Sequence, residues 1–592
     1  MDNSRDIALS AAGARAGKLG LALSGGGFRA ALFHIGVLAQ LADRDLLRFV
    51  AVISTVSGGS IIGAFYYLKV KQLLEGGRSD DLQPTAEGFR QLVVEVEQEF
   101  LAAVQHNLRI SVFTDRRKNA RMLGADQYSS TQRLAELFDE FFFAPIGARG
   151  EGMLADLPIA AVQQPVGQGA ARNFVVPELI LNATAINTGH LFQLTGHHVG
   201  EARIDSVFGG VSSMGTLPRL SLRDPQLSAR QRVRLERITV GDAVAASCCV
   251  PGLFDPFTLS GLYRDDSGQD VVVRLVDGGV FDNQGLVSLF EEQCTHFICS
   301  DATDLLMWEC NPSARMHNVL VRANEIMMDR IRGEVLDELI KRGADKYAVC
   351  TLGHVEGDRV FSDDAARLVK ALGSIRTDLD AFSDVEAAAL MYYGFRLSGA
   401  VLAQPAQAPE DAALEPVAGP VGEAGRAVVP AGESAWSFGA IGGQVADPAQ
   451  RQSLLRHLEV GSRQFLKVFY LGRALPFAIV IAPLMIPVAL FVLLIYLLPP
   501  IPTSAWAVLV GIALVGVAFS QNARILELLD QIEAFRRFRV RLAVALRPLG
   551  VTVVMGAVAA AACRLYLSVF NRLFLRYGRL EGEQKRGLVR KS

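Results

Sequence analysis

The sequence predicts an α/β domain, with a parallel or mixed sheet sandwiched by helices, followed by a C-terminal helical transmembrane hairpin. Strand and helix patterns alternate over residues 20–67, which is typical of parallel sheets with helices on both faces. Glycine-rich turns follow three of the predicted strands. Residues 474–523 contain no Lys, Arg, Asp, Glu or His, so this stretch is predicted to lie in a membrane.

Composition excludes several classes of function. The chain has 592 residues, half of them hydrophobic, and a mean hydropathy of +0.27. Its net charge of −2 gives no case for nucleic-acid binding. Seven dispersed cysteines and the lack of any metal-ligand spacing predict no disulfide, no metal and no cofactor. The oligomeric state cannot be deduced from the composition.

The first glycine-rich turn is Ser24-Gly25-Gly26-Gly27-Phe28-Arg29, which follows an apolar strand pattern and leads into an apolar helix pattern at 30–41. Glycine allows a ligand to approach the main chain closely. A loop at a helix start directs backbone N–H groups at an anion. The turn therefore predicts a site for a phosphate or for an oxyanion formed during catalysis.

The second turn contains Ser57, between a strand pattern that ends at Val56 and a helix pattern that begins with Gly58 and Gly59. A tight strand-to-helix turn that exposes a serine at a helix N-terminus is a nucleophile elbow. Thr55 occupies the place where the G-x-S-x-G pattern has its first glycine. The alternative interpretation of Ser57 is a small residue in a glycine-rich turn.

The third turn follows a β-branched run and reads Asp277-Gly278-Gly279. A buried carboxylate with a raised pKa suits the removal of a proton from Ser57. The alternative is that Asp277 only ends a strand, and Asp282 is a rival carboxylate nearby.

The remaining elements of this domain are predicted from periodicity. An amphipathic helix is expected at 85–107, and a second at 131–143 ends in three phenylalanines, for which a core role is favoured over a lid. Strands are expected at 178–184, 271–276, 296–300 and 347–352. A long helix is expected at 318–341, and residues 364–402 are predicted to be helical, with a break at Gly373 and an end near Gly394 or Gly399.

Taken in this order, the three turns resemble those of the patatin-like phospholipases, a family of Ser-Asp lipid acyl hydrolases. Weaker agreements lie at 182–189, 246–254 and 375–383, so the resemblance extends roughly over residues 18–400. It implies Ser57 as nucleophile and Asp277 as general base. It implies an oxyanion hole at Gly25, Gly26 and Gly27. It also implies supporting positions at Arg29, Gly59, Gly278 and Gly279.

Two groups of residues keep alternative interpretations. Three roles are open for Arg29: it forms a salt bridge, it braces the glycine loop, or it contacts a lipid phosphate. A Ser-His-Asp triad would need a histidine beside Ser57. Because no spacing supports a particular one, structural roles are favoured for the four histidines considered, which are His34, His190, His197 and His198.

The domain boundaries follow from changes in composition. A tail is predicted at 1–17, the hydrolase domain at 18–403, a linker rich in Ala, Pro and Gly at 404–446, and a membrane-associated helical region at 447–592. Two spans are expected, at about 476–498 and 504–520, separated by a proline-rich turn. For a third apolar run at 549–563, an interfacial, re-entrant or packed helix is favoured over a span.

The expected function is that of a membrane-anchored lipid acyl hydrolase of the phospholipase A or lysophospholipase type. Basic residues flank both outer ends of the hairpin, which predicts that both ends, and the catalytic domain, lie on the cytoplasmic side. The expected partners are the bilayer and a membrane phospholipid or another acyl-ester lipid. The alternative is a catalytically silent, membrane-anchored protein that binds lipid or signals.

Overall fold

The computed structural model describes residues 17–75, 82–124, 128–146, 153–157, 176–203, 216–303, 306, 309–342, 347–352, 366–403, 436–463, 467 and 560–580. These residues divide into two compact units. The first comprises those within 1–108, 127–464 and 578–592, and the second those within 109–126 and 465–577.

The described strands of the first unit form one mixed, ten-stranded sheet. They are β1 Leu19–Leu23, β2 Val50–Val56, β3 Glu178–Ala185, β4 Leu191–Thr195, β5 His198–Glu201, β6 Leu220–Ser221, β7 Phe257–Arg264, β8 Asp270–Asp277, β9 His296–Asp301 and β10 Tyr347–Thr351. The order is β10-β9-β1-β2-β3-β4-β5-β6, and β8 pairs with both β3 and β7. The first five strands in this order are parallel to one another, whereas β4 to β8 pair antiparallel.

Helices of the first unit flank its sheet, as the sequence predicts for an α/β fold. The helices of both units within the described residues are α1 Gly27–Asp43, α2 Gly58–Glu75, α3 Ala86–Val104, α4 Leu108–Ser111, α5 Arg116–Gly124, α6 Ser130–Phe138, α7 Ala229–Leu235, α8 Val240–Cys248, α9 Gly279–Asp282, α10 Leu286–Glu291, α11 Met316–Arg342, α12 Ala366–Gly373, α13 Asp384–Leu402, α14 Ile441–Ala446, α15 Pro448–Gly461 and α16 Arg572–Tyr577. Of these, α5, α16 and all of α4 but its first residue belong to the second unit. Short 3-10 turns lie at Leu47–Phe49, Leu154–Asp156 and Ser437–Ala440, and π-helical turns at Asp139–Phe143 and Leu567–Asn571.

The register of the parallel strands brings their carboxyl ends to one edge of the sheet. Leu23 lies opposite both Thr55 and Ser300, so the loops after β1, β2 and β9 start side by side. Val56 pairs with Asn182, and the next residue of β3, Ala183, pairs with Asp277 of β8. Residues that are far apart in sequence therefore meet at this edge.

Helix α13 differs from its prediction at the C-terminal end. The break at Gly373 is confirmed, because α12 ends there and α13 begins at Asp384. The expected end near Gly394 or Gly399 is wrong, since α13 continues to Leu402. At Gly394 an added Cβ would lie 2.3 Å from Phe33 O of α1, so this glycine allows close packing of two helices rather than ending one.

The aromatic run at the end of α6 belongs to the core. Phe142 and Phe143 are buried, and Phe142 packs against Phe28, Phe100 and Phe138. The run lies in the π-helical turn rather than in a continuation of α6.

The last part of the predicted linker is ordered. Residues 404–435 lie outside the described residues, but Trp436 and Phe438 are buried and stack on each other, with Phe395 of α13 beside them. The Trp436 indole donates a hydrogen bond to Asp43 Oδ2 at 3.2 Å. The segment at 436–446 therefore packs on the hydrolase domain.

The candidate membrane spans at 476–498 and 504–520 lie outside the described residues. Of the third apolar run, residues 560–563 are described and are helical. No helix within the described ranges is both long enough and apolar enough to cross a bilayer. In the second unit, Phe570 and Phe574 form a small apolar cluster, and the Lys467 ammonium lies 3.9 Å from the centre of the Phe574 ring.

Candidate active site

The turn between β2 and α2 holds Ser57 in a left-handed backbone conformation. Ser57 alone makes the change from strand to helix, with a φ of 50°. A positive φ in a residue other than glycine costs on the order of 1–3 kcal/mol and persists where the surroundings fix it. The Ser57 N–H donates to Ser247 Oγ at 2.9 Å, and the residue is 6% exposed. This is the geometry of a nucleophile elbow.

Thr55 fits the elbow because the facing helix residue is small. An added Cβ at Gly63 would lie 2.4 Å from the methyl carbon of Thr55. The Thr55 hydroxyl donates to Ile180 O at 3.0 Å and is 2.9 Å from Ser60 Oγ. Gly63 thus provides the space that a glycine at position 55 would otherwise provide.

The glycine loop and the serine turn are in direct contact. An added Cβ at Gly58 would lie 2.0 Å from Gly27 O, and one at Gly59 would lie 2.2 Å from Leu23 O. At Gly25, an added Cβ would lie 3.2 Å from Ser57 Cβ. Only residues without a side chain allow the two loops to approach so closely.

Three backbone N–H groups around Ser57 have no hydrogen-bond partner among the described residues, namely those of Gly26, Gly27 and Gly58. Gly26 and Gly27 have φ values of 134° and 59°, which glycine adopts readily. The Gly25 N–H differs, because it donates to Asn283 O at 3.0 Å. Of the three glycines predicted to form an oxyanion hole, Gly25 therefore contributes space and a fixed position rather than a free donor.

Asp277 is buried at the end of β8 beside Ser57. Its Oδ1 accepts a hydrogen bond from the Gly279 N–H at 2.8 Å, and its Oδ2 is buried without a hydrogen-bond partner in the described part of the chain. Burial raises the pKa of Asp277 to about 6, although the Ser57 hydroxyl and the Gly279 N–H both favour the ionised carboxylate. The Ser57 hydroxyl is near Asp277 but does not meet full hydrogen-bond geometry. This carboxylate has the pKa and the free oxygen that a general base needs.

The two glycines after Asp277 allow the strand end to pack tightly. An added Cβ at Gly278 would lie 2.3 Å from Asn182 O, and one at Gly279 would lie 3.0 Å from Asp277 Oδ1. The Asp277 N–H donates to Cys249 O at 3.1 Å, which ties β8 to the end of α8. Asp277 is therefore held by its backbone on both sides.

The rival carboxylate, Asp282, has a structural position. Its Oδ1 accepts from the Gln284 N–H at 3.0 Å and its Oδ2 from the Val287 N–H at 2.8 Å. Both oxygens are thus occupied at the start of α10, and neither faces Ser57 in a hydrogen bond.

Ser247 and Asn283 position the site, although no motif in the sequence predicts these roles. Ser247 is buried in α8, where its hydroxyl accepts from the Ser57 N–H and donates to Asn182 O at 2.6 Å. Asn283 accepts from the Gly25 N–H through its backbone oxygen. Both lie in or beside segments with recognisable motifs, but their partners are 65 residues away or more.

Arg29 braces the glycine loop from the protein interior. Its Nη1 donates to Gly373 O at 2.7 Å and to Ile375 O at 3.1 Å, and its Nη2 donates to Ala302 O at 2.8 Å. The residue is buried, so these contacts favour a bracing role over contact with a lipid phosphate.

The four histidines considered as triad members have partners other than Ser57 and Asp277. His34 lies between Ser24 O, at 2.9 Å, and Ser300 Oγ, at 2.6 Å, and burial lowers its pKa to about 4. His190 contacts Glu201, whereas His197 and His198 lie at the β4–β5 turn. No group of three or more His, Cys, Asp and Glu side chains in the described ranges is placed to hold a metal ion.

Similarity to solved structures is low. "Human GIVD cytosolic phospholipase A2" is 14% identical, with a TM-score of 0.34, and the match covers 66% of this chain and 59% of that one. The same human enzyme in complex with methyl gamma-linolenyl fluorophosphonate is 14% identical, with a TM-score of 0.31, and the match covers 66% of this chain and 58% of that one. VipD from Legionella pneumophila is 12% identical, with a TM-score of 0.25, and the match covers 65% of this chain and 66% of that one. The match thus spans about six tenths of the length of the human enzyme.

No curated protein matches the chain. A family model does match, the one described as "Patatin-like phospholipase", over residues 21–289. This range contains the glycine loop, the Ser57 elbow and the Asp277 strand end described above. Residues 21–289 are therefore similar to the patatin-like phospholipases, in agreement with the resemblance of the sequence motifs.

Proposed function

We propose that the chain is a serine hydrolase of acyl-ester lipids, of the phospholipase A or lysophospholipase type, in which Ser57 is the nucleophile and Asp277 the general base. The observation that carries the proposal is a strained, left-handed Ser57 beside a buried carboxylate with a free oxygen. The similarity of residues 21–289 to the patatin-like phospholipases supports the same chemistry.

The reaction would proceed through an acyl-enzyme. Asp277 takes the proton of the Ser57 hydroxyl while Ser57 Oγ attacks the ester carbonyl carbon. The carbonyl oxygen becomes an oxyanion, and the free N–H groups of Gly26, Gly27 and Gly58 are the donors available to stabilise it. One such donor can lower the barrier by about 3 kcal/mol.

The remaining steps release the two products and restore the enzyme. Asp277 gives its proton to the alcohol oxygen as the ester bond breaks, and lysolipid or glycerol backbone leaves. Asp277 then takes a proton from water as the water oxygen attacks the acyl carbon. The bond between the acyl carbon and Ser57 Oγ breaks, Asp277 returns the proton to Ser57 Oγ, and the fatty acid leaves. No metal or cofactor is required for these steps.

We also propose that the chain is anchored in a membrane through the apolar segments at 476–498 and 504–520, with its catalytic domain on the cytoplasmic side. The basic residues that flank this region support the proposal. Anchoring would hold the hydrolase domain beside its substrate and raise the local lipid concentration.

The test of the function is fatty acid release from mixed phospholipid vesicles by the full chain, with products identified by mass spectrometry. Release is expected, together with covalent labelling of Ser57 by an alkyl fluorophosphonate, a reagent that phosphonylates activated serines. Labelling without release would indicate a different ester as substrate. If neither occurs, the silent lipid-binding alternative is favoured.

The pH dependence reports on the base. Because Asp277 must be ionised to accept a proton, kcat/KM for a water-soluble ester is expected to fall as the pH drops through about 6 and to reach a plateau above it. Initial rates over a range of acidic to neutral pH measure this limb. A limb at the ordinary aspartate pKa, or a flat profile, would contradict the assignment of Asp277.

Large apolar side chains are exposed around the catalytic end of the sheet. Leu253, in the turn after α8, is 60% exposed. Val250 in the same turn, Val280 in α9 and Ile186 directly after β3 are also exposed. Cys249 O contacts the Asp277 N–H, so the Val250–Leu253 turn begins beside the base. This apolar rim suits contact with acyl chains at a lipid surface.

Leu253→Asp is expected to lower release from vesicles by about tenfold, because it removes the apolar area that this side chain could bury in lipid. Hydrolysis of a soluble monomeric ester should be unchanged. Ile340→Asp, an exposed apolar position on α11, is the matched control. Equal vesicle rates for the two variants would mean that the rim makes no contact with lipid.

A further inference from the structure

A cleft of about 410 Å³ lies at the edge of the sheet where the β4–β5 turn meets β6. It is lined by His197, His198, Arg203, Arg219, Ser221 and Arg223. Its size is that of a small-molecule site.

The cleft is separate from the catalytic end. Thr195 pairs with Ile180, and Ile180 pairs with Ser54, so the β4–β5 turn continues towards the amino ends of β2 and β3. Ser57 lies beyond the carboxyl end of β2. The two sites are therefore at opposite ends of the strands.

The lining favours an anion. It carries three guanidinium groups and a hydroxyl, and none of its residues is acidic. Guanidinium groups bind phosphate oxygens in pairs, with planar geometry and a permanent charge.

Arg219 is held in place before any ligand binds. Its Nε donates to Glu201 O at 3.0 Å, and its Nη2 donates to Gln193 Oε1 and to Glu291 Oε1, both at 2.5 Å. Its Nη1 has no partner among the described residues. Glu291 offsets one charge but lies behind Arg219 rather than in the lining. A fixed guanidinium loses little conformational freedom when it binds.

The side chains around His198 include positively charged groups. Its ring contacts Thr195 Oγ1 at 3.3 Å and Gln193 Oε1 at 3.2 Å. Burial, together with the neighbouring Arg219, His197 and Arg203, lowers the pKa of His198 to about 3. Burial disfavours a charge of either sign, whereas the part of the shift that comes from the neighbouring cations reflects a positive potential, which favours an added negative charge.

We propose that this cleft binds the phosphate group of a small phosphate-bearing ligand, at a site distinct from the Ser57–Asp277 pair. The ligand is either a soluble phosphomonoester or a phospholipid with a phosphomonoester headgroup, such as phosphatidate, since both present the same dianionic oxygens. The lining supplies the guanidinium groups of Arg203, Arg219 and Arg223 and the hydroxyl of Ser221 as donors to the phosphate oxygens. The inference does not depend on hydrolase activity.

The test uses equilibrium dialysis of the full chain with radiolabelled inorganic phosphate. The parent and Arg234→Glu, an exposed arginine on α7, are expected to retain the label. Arg223→Glu is expected to bind it at least about tenfold more weakly, because it reverses one charge of the lining. Fatty acid release by all three proteins is measured in parallel, so that a loss of phosphate binding can be distinguished from a loss of catalysis.

Competition then identifies the source of the phosphate. Displacement of the label by glycerol phosphate at lower concentration than by phosphatidate in detergent micelles would indicate a soluble ligand, and the reverse order a headgroup. Either order supports the proposal. No retention by the parent, or equal retention by Arg223→Glu and Arg234→Glu, would overturn it.

Discussion

Ser57→Ala and Asp277→Asn are each expected to lower fatty acid release by about 1,000-fold or more. Alanine removes the attacking oxygen. Asparagine keeps the size of the side chain and can still accept from the Gly279 N–H, but it cannot take a proton from Ser57. Because the two residues act as one unit, the double variant should be no less active than either single variant.

Initial rates from vesicles measure these losses, with circular dichroism to establish that each variant is folded. Asp266→Asn, in the exposed turn between β7 and β8, is the matched control and should keep the parental rate. Asp282→Asn tests the rival carboxylate, and its expected effect is lower stability, because asparagine keeps only one acceptor oxygen for the two N–H groups of Gln284 and Val287. If Asp277→Asn kept most of the rate while Asp282→Asn abolished it, the roles of the two aspartates would be reversed.

Local patterns made the serine turn and the strand ends predictable from sequence. The order of strand, Ser57 and glycine-led helix is encoded within a few residues, so β2 and α2 form where the pattern indicates. The run predicted as a strand at 271–276 likewise forms β8, which extends one residue further at each end, from Asp270 to Asp277. These features depend on side-chain alternation and on glycine, which act over short distances.

Contacts between distant segments were not predictable in the same way. The Gly25 N–H could not be recognised as occupied, because its acceptor, Asn283 O, lies far downstream. The support of the Ser57 N–H by Ser247 depends on how α8 packs against β2 and β3. The role of Arg29 remained open for the same reason, since its acceptors lie directly after β9, at the last residue of α12 and just beyond that helix.

The segment at Trp436 shows why composition alone did not predict which part of the linker packs on the hydrolase domain. Alanine, proline and glycine dominate residues 404–446, and this composition is typical of a linker. Two aromatic side chains, Trp436 and Phe438, are enough to bury its last part against α13. Average composition does not reveal such isolated anchors.

Gly58→Ala is expected to lower kcat/KM by about 100-fold or more, because a displacement of roughly 1 Å in a catalytic group can have that effect. The new methyl group would lie 2.0 Å from Gly27 O and 2.7 Å from Gly27 N, and neither backbone atom can rotate away. Either Ser57 or the loop with the free N–H groups of Gly26 and Gly27 must therefore move. The distance between nucleophile and oxyanion donors would change, whereas Asp277 would keep its own contacts.

The comparison variant is Gly333→Ala on α11, where an added Cβ meets nothing within 4 Å. It should keep the parental rate and gain up to about 1 kcal/mol in stability, since alanine favours helix more than glycine does. Rates are expressed per folded molecule, from thermal unfolding followed by circular dichroism, so that lost stability in Gly58→Ala is not counted as lost catalysis. A folded Gly58→Ala protein with the parental kcat/KM would show that close contact between the glycine loop and the Ser57 elbow is not needed for the reaction. The oxyanion donors would then have to lie elsewhere than on Gly26 and Gly27.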